Sequence, residues 1–462
     1  MIDPHIFREY DIRGIVGPQL DESVVATLAR ALAIFYKRNN AARIVVGYDA
    51  RESSPVFSRI ITEQLAASGS DVDVIGQVPT PVLYHSVFTR NYDGGVMITG
   101  SHNPADHNGF KIMLGRSALF GSQIQEIREI VLETPATVEQ TVLPGMVKNV
   151  DVLDDYIADI LSKTSLGGRK LKVVVDGGNG MGCKTAVPIY ERLGVELITL
   201  FAEPDASFPN HHPDPTVAEN LEDLIDTVIE KRADVGIAFD GDADRIGVVD
   251  DTGRIIWGDE LMIVFARNVL EQTPGSTIIG EVKCSQVLFD DIAAHGGKPI
   301  MWKAGHSLIK AKMKETGAAL AGEMSGHIFF ADRFYGFDDA AYAGCRLLEI
   351  ISRSEKKLSE LLSDIPKTFS TPELRVDCPD DVKFEVVRRV AEEFSAAHEV
   401  ITIDGARIIF DQGWGLVRAS NTQAILVLRF EAFSERSLAG IQNSVERKVV
   451  EAIKLATAAN QH

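Results

Sequence analysis

Val235-Gly-Ile-Ala-Phe239 runs directly into Asp240-Gly-Asp-Ala-Asp-Arg245. Small and apolar residues followed by an acidic loop read as a buried strand that stops abruptly. The same arrangement occurs twice more. Gly95-Val-Met-Ile-Thr99 enters Gly100-Ser-His-Asn-Pro104, and Ala318-Ala-Leu-Ala321 enters Gly322-Glu-Met-Ser-Gly-His327. Upstream of each lies a strand–turn–helix pattern. Arg43-Ile-Val-Val-Gly-Tyr-Asp49 predicts a strand before a helix over Pro55–Ser68, and Lys172-Val-Val-Val-Asp-Gly-Gly178 predicts one before a helix over Cys183–Leu193, which Pro188 weakens. Thr277-Ile-Ile-Gly-Glu-Val282 repeats the pattern ahead of Ser285–His295. Short turns between such elements predict parallel α/β units. Ligands bind beyond the carboxyl ends of strands in these sheets, so the three loops are where chemistry is expected.

The last hundred residues differ. Pro366-Lys-Thr-Phe-Ser-Thr-Pro372 reads as a linker. After it come a helix near Asp381–His398, strands at Val400–Asp404, Ala406–Phe410, Leu416–Ala419 and Ala424–Phe430, and a helix over Ser434–Leu455. Adjacent strands flanked by helices predict an α+β unit with an antiparallel sheet. Breaks at Thr134–Asn149 and Val249–Gly258 complete a division into units 1–148, 149–249, 250–366 and 367–462.

The chain has 462 residues, a formal net charge of −19 and 45% hydrophobic residues. That balance is globular rather than disordered. Its acidity argues against a nucleic-acid partner, and no apolar run is long enough for a membrane span. The opening residues have no apolar core, so no secretory leader is expected. Four cysteines without a C-x-x-C spacing fit neither a zinc site nor a disulfide framework. A cytoplasmic chain working as a monomer is the expectation.

Asp240, Asp242 and Asp244 alternate. On an extended chain they would point to one side, where they repel unless a cation sits among them. Oxygen ligands favour Mg²⁺, Ca²⁺ or Mn²⁺, and Arg245 stands where a calcium-binding EF-hand loop requires Gly. Ser101, with His102 beside it, offers a hydroxyl that needs activation, and Lys111 in Asn108-Gly-Phe-Lys111 lies close downstream. Glu323, Ser325 and His327 can hydrogen-bond vicinal sugar hydroxyls. Arg418-Ala-Ser-Asn-Thr422 combines a fixed positive charge with neutral donors, a set suited to phosphate. His211 and His212 are adjacent and make poor partners for one ion. Gly177-Gly-Asn-Gly-Met-Gly182 matches no nucleotide fingerprint.

Together these loops resemble the α-D-phosphohexomutase superfamily, most of all its bacterial phosphomannomutase/phosphoglucomutase branch. The likeness runs from Phe7-Arg-Glu-Tyr-Asp-Ile-Arg-Gly14 to Arg418-Ala-Ser-Asn-Thr422. It implies a four-domain architecture around one central cleft: three similar α/β units with mixed sheets and a C-terminal α+β domain. Ser101 would carry a phosphoryl group, and Asp240, Asp242 and Asp244 would hold Mg²⁺ against it beside Arg245. Glu323, Ser325 and His327 would grip the sugar. Arg418, Ser420, Asn421 and Thr422 would bind the distal phosphate. Tyr10, Arg13, Lys111, Lys283 and His306 match further cleft positions, and His102 joins the substrate contacts.

The reaction implied is reversible transfer between the 1- and 6-positions of glucose and mannose phosphates, through a reorienting glucose 1,6-bisphosphate or its mannose counterpart. Lys111 and His327 are the candidates for the acid/base. Two departures from the family pattern stand out. Ala243 replaces the usual second Gly of the metal loop, and Gln423-Ala424 stands where a Pro is common. For a dianionic substrate the net charge implies local focusing by Arg13, Lys111, Arg245, Lys283, Lys303, His306 and Arg418. The alternatives are a haloacid-dehalogenase-type phosphatase using Asp240, although Asp244 stands where its motif wants Thr or Val, and a non-catalytic sugar-phosphate-binding protein.

Overall fold

A computed structural model describes residues 2–133, 143–420 and 424–460. Four sheets follow one another along the chain. In the first, the parallel strands Arg43–Tyr48, Asp71–Gln77 and Gly94–Ile98 are extended by His107–Leu114 and Ile12–Ile15, both antiparallel to their neighbours. The second has Lys172–Asp176 between Glu196–Leu200 and Val235–Phe239, all parallel, with Ile246–Asp250 returning antiparallel. The third repeats the plan with Thr277–Glu281 between Lys298–Trp302 and Leu320–Gly322, and Ile328–Phe330 returning. A six-stranded antiparallel sheet with the helices Lys383–Ser395 and Glu435–Asn460 forms the last unit.

Each motif-bearing loop in the first three units is therefore the hairpin between a parallel strand and its antiparallel return. Strands such as Val235–Phe239 are buried at every position, which explains their continuous apolar runs. The expected helices form at Ser54–Ala67, Cys183–Arg192 and Gln286–Ala294. Pro188 is accommodated inside the second of these.

Three readings change. The segment read as a linker contributes a short strand, Phe369–Ser370, paired with Ala432 and Glu431. Leu374–Asp377 is a strand that sequence patterning did not indicate; its alternate positions are only half-buried, so it lacks a strong apolar signature. The second sheet also runs past residue 249, because Ile255–Ile256 pairs back onto Val248 and Val249. Among the described residues no helix is long and apolar enough to cross a membrane.

One hydrophobic cluster runs through the first three units, from Val45 and Tyr84 through Ile237 to Phe265 and Leu347. The last unit has a core of its own and meets the third through buried polar groups. Arg407, stacked 3.8 Å from the Trp414 ring centroid, donates to Val282 O (2.5 Å) and Cys284 O (2.8 Å). Glu431 Oε1 accepts from Trp414 Nε1 and Ser285 Oγ, each at 2.9 Å. Burial pulls the Arg407 guanidinium down to about 9, opposed by Glu431. Arg407→Met leaves two buried carbonyls unpaired. The expected loss is about 3 kcal/mol, read as about a hundredfold faster amide exchange in strands Ala406–Phe410 and Gly413–Ala419.

Candidate active site

The acidic loop is curled, not extended. Ala243 N donates to Asp240 O, and the amides of Asp244 and Arg245 both donate to Asp240 Oδ1, at 3.1 and 3.2 Å. This turn, rather than strand alternation, gathers the three carboxylates, whose ligand atoms lie within 4.8 Å of one another. Ala243 takes φ 62° and is 1% exposed. Left-handed backbone costs Ala about 1 kcal/mol, and burial of its methyl offsets about 0.8 kcal/mol of that, so Ala is tolerated there.

Ser101 meets this loop directly, with Oγ 2.9 Å from Asp240 Oδ2 and 3.2 Å from His102 Nδ1. The two backbones touch: a Cβ at Gly241 would stand 2.3 Å from Ser101 O. The glycine-rich turn packs beneath, with Met181 N donating to Gly241 O and no space for a Cβ at Gly180. That packing is the role of the turn, in keeping with its lack of a nucleotide fingerprint. His211 bonds Asp176 (3.0 Å), while the His212 ring packs edge-on to Phe208.

Lys111 lies on the return strand opposite Met97. Its Nζ donates to Asp242 Oδ2 (2.7 Å) and Asp244 Oδ2 (2.5 Å). Burial opposes its charge, but the two carboxylates overcome this and hold its pKa well above the usual lysine value. Asp240 is pushed well up by burial and by Asp244 and Asp242. Burial also works against the Asp244 charge, yet Lys111 and His327 hold that carboxyl well down. Thr80 reaches in from the first unit, its Oγ1 2.5 Å from Asp242 Oδ2. Asp242 Oδ1 and Asp244 Oδ1 are buried and accept no hydrogen bond, although His327 Nε2 lies 3.2 Å from the latter. Buried carboxylate oxygens without partners, in a cluster of three, fit a hard divalent cation.

The sugar-type loop closes over the acidic one. Arg245 and His327 form an antiparallel bridge, and Arg245 Nε lies 3.3 Å from His327 Nε2. His327 Nδ1 lies 3.0 Å from Glu323 Oε2 and 3.1 Å from Ser325 Oγ. Burial opposes protonation of His327, but Asp244 raises it to about 9. Glu323 Oε1 accepts from Gly305 N, and the His306 ring stacks on His327 at 5.4 Å. Tyr10 OH donates to Ala304 O (2.8 Å), bridging the first and third units.

A cleft of about 670 Å³ collects Tyr10, His102, Arg245, Lys283, His306 and Arg418, together with Glu323, Ser325 and His327. Arg375 and Arg429 add cations that motif reading missed. Arg13 and Lys303 are not among its walls; Arg13 bonds Asp11 and Asn103 beside the serine loop. Arg418 Nε donates to Asp404 Oδ2 (2.8 Å), which also accepts from Ala304 N. Ser420 follows at the strand end, while Asn421 and Thr422 fall outside the described residues. Asp49, Arg51, Thr80 and Asp404 escaped sequence reading. Asp49 and Arg51 stand just beyond a strand end, where the rule applied to the other loops would have found them.

Glu281 ends a strand under the cleft, fully buried. Its Oε1 accepts from Met324 N (2.9 Å) and lies 3.5 Å from Lys283 Nζ, while Oε2 has no partner. Burial raises its pKa to about 7 against the pull of Lys283. An unfolded carboxyl releases its proton near 4.5, whereas the folded one holds it to about 7. Stability from this group is therefore intact below 4.5 and is lost as pH rises through 7. Glu281→Gln keeps the bond from Met324. In urea unfolding it should gain about 2 kcal/mol on the wild type across that window and run parallel to it at lower pH.

Comparison with known proteins agrees with this geometry. The family descriptions for phosphoglucomutase/phosphomannomutase match in order: alpha/beta/alpha domain I over 4–137, domain II over 154–253, domain III over 257–369 and the C-terminal domain over 373–448. A phosphomannomutase/phosphoglucomutase of Pseudomonas putida is 46% identical over 95% of this chain and 94% of its own. A phosphoglucomutase of Neisseria gonorrhoeae is 46% identical over 95% of each. The crystal structure of a phosphoglucomutase/phosphomannomutase family protein from Burkholderia thailandensis superposes with a TM-score of 0.91 at 43% identity, covering 98% of both chains. Matched along its length in sequence and in fold, the chain belongs to the phosphoglucomutase/phosphomannomutase family of phosphohexomutases.

Proposed function

We propose that the protein moves a phosphoryl group between the 1- and 6-positions of glucose and mannose phosphates, with Ser101 as the carrier. The observation that carries this reading is the 2.9 Å contact between Ser101 Oγ and Asp240 Oδ2, at a point where loops from three sheets converge. Asp240, Asp242 and Asp244 would hold Mg²⁺. When bound, the ion neutralises charge on the transferring phosphoryl.

In the first transfer the bond from Ser101 Oγ to phosphorus breaks and one from the sugar hydroxyl forms, giving a 1,6-bisphosphate. The proton lost by the sugar hydroxyl ends on the departing Ser101 Oγ; Lys111 and His327, both held protonated beside the acidic loop, are the candidates that relay it, giving a proton to Oγ and taking one from the hydroxyl. The bisphosphate then turns, and its other phosphate returns to Ser101. Glucose 1,6-bisphosphate therefore also serves to charge the serine. Arg245 balances the phosphoryl charge. Glu323, Ser325 and His327 take the sugar hydroxyls, with Tyr10, His102, Lys283 and His306 around them and Arg13 approaching from beside the serine loop. Arg418, Ser420, Asn421 and Thr422 hold the distal phosphate.

All these residues come from one chain, which supports a working monomer. Four buried, unpaired cysteines suit a reducing, cytoplasmic setting. Positioning and charge neutralisation are what phosphoryl transfer chiefly needs, and this site offers both.

Phosphorus NMR of glucose 1-phosphate or mannose 1-phosphate with Mg²⁺ and a trace of bisphosphate should show the 1-phosphate resonance converting to the 6-phosphate. Ser101→Ala should lower the rate by about three orders of magnitude or more. Accumulating inorganic phosphate that survives Ser101→Ala and disappears with Asp240→Asn would instead identify a phosphatase. Chelation by EDTA should abolish turnover, and added Mg²⁺ should restore it.

A further inference from the structure

Arg51 is 1% exposed and stands at the end of the strand Arg43–Tyr48, below the serine loop. All five of its donor hydrogens are used. Nε donates to Asp49 Oδ2 at 3.2 Å. Nη1 donates to Pro104 O (2.5 Å) and His107 O (2.8 Å), and Nη2 to Ser101 O (2.9 Å) and Asn103 O (2.6 Å). One guanidinium thus binds four carbonyls of a seven-residue stretch. Asp49 completes the template by accepting from Gly100 N (3.1 Å), Ser54 Oγ (2.6 Å) and Arg51 N (3.0 Å).

The loop needs such a fixture. Ser101 sits at φ 48°, a left-handed conformation unfavourable for serine. That conformation persists only where surrounding contacts over-determine it. Arg51 grips the carbonyl of Ser101 itself, the same oxygen against which Gly241 of the acidic loop packs. Its hold therefore sets both the direction of Oγ and the approach of the two loops.

We infer that Arg51, oriented by Asp49, is the positioning residue that holds Ser101 in its phosphoryl-accepting conformation. This rests on Ser101 being the phosphoryl carrier. Arg51 does not line the substrate cleft, so it sets the rate of transfer and leaves hexose phosphate binding alone. A lysine keeps the charge beside Asp49 but has three donors diverging from one atom, and it cannot serve four carbonyls held by a planar fork.

The test pairs Arg51→Lys and Arg51→Ala with Ser101→Ala. Arg51→Lys should lower kcat about a hundredfold, with KM for glucose 1-phosphate within about threefold of wild type, measured well below the variant's own lowered thermal midpoint. Arg51→Ala should regain about tenfold of its lost rate in millimolar guanidinium chloride, saturably, which loss of fold alone would not allow. Intact-protein mass after incubation with glucose 1,6-bisphosphate should show rapid gain of one phosphoryl in the wild type and slow gain in Arg51→Lys. A wild-type kcat in Arg51→Lys, or a defect confined to KM, overturns the role of Arg51 while leaving the serine carrier intact. Full activity in Ser101→Ala, with no phosphoryl gained by the wild type, overturns both.

Discussion

Three carboxylates buried together set the terms for everything around them. Asp240, Asp242 and Asp244 are each fully buried, and two unit charges at such separations repel by about 4 kcal/mol at an effective dielectric constant of 20. The answering charges come from different parts of the chain: Lys111 from the first sheet, Arg245 from the acidic loop itself and His327 from the third. The site is satisfied only when three units dock, so the arrangement of the units and the charge balance of the site are one problem. Two carboxylate oxygens remain without a hydrogen bond even then, which is the place left for a cation.

Topology explains how loops some eighty to a hundred and forty residues apart in sequence reach one point. Each lies between a parallel strand and its antiparallel return, so each projects from the carboxyl end of its sheet. Hairpins from different sheets can touch only if their backbones come close, and glycine permits that at Gly241, against Ser101 O, and at Gly326, against Ile246 O. The contact is then fixed by backbone bonds, among them Ile246 N to Gly326 O and Thr80 N to Asp242 O, both at 3.0 Å. Side-chain identity supplies the chemistry, and main-chain proximity supplies its alignment.

The motif residues were legible because their identities and spacing are local properties. Val235–Phe239 and the loop after it could be read from eleven consecutive letters. What escaped reading depends on distant chain. Thr80 meets Asp242 and Arg51 meets Pro104 only after folding, and no periodicity signals either. The extended-chain argument expected the three aspartates to gather, and they do so for a different reason: the loop curls because Asp240 Oδ1 caps two amides of its own turn. Phe369 and Ser370 looked like linker because their partners, Ala432 and Glu431, lie some sixty residues downstream. Of the residues expected to focus positive charge, Arg13 turned to the serine loop, while Arg375 and Arg429 joined the cleft without belonging to any motif.

The way the units are joined divides the molecule into a fixed part and a separable one. A continuous apolar cluster crosses the first three units. Opening it would expose surface at about 25 cal/mol per Å², so the serine, acidic and sugar-type loops keep their mutual geometry. The last unit meets the third through directional polar contacts around Arg407, Arg429 and Glu431, with a small apolar patch of Val282, Trp414 and Leu416, flanked by the half-buried Met301, Ile403 and Ile409, between them. Hydrogen bonds of this kind exchange with water at a net cost of about 1 kcal/mol each. The seam that opens at least cost therefore runs beside Arg418, and it leaves the contact between Ser101 and Asp240 untouched. Under the proposed two-step transfer, a substrate presenting first one end and then the other to Ser101 would need this combination: an unyielding floor for the transfer and a wall that yields while the sugar turns.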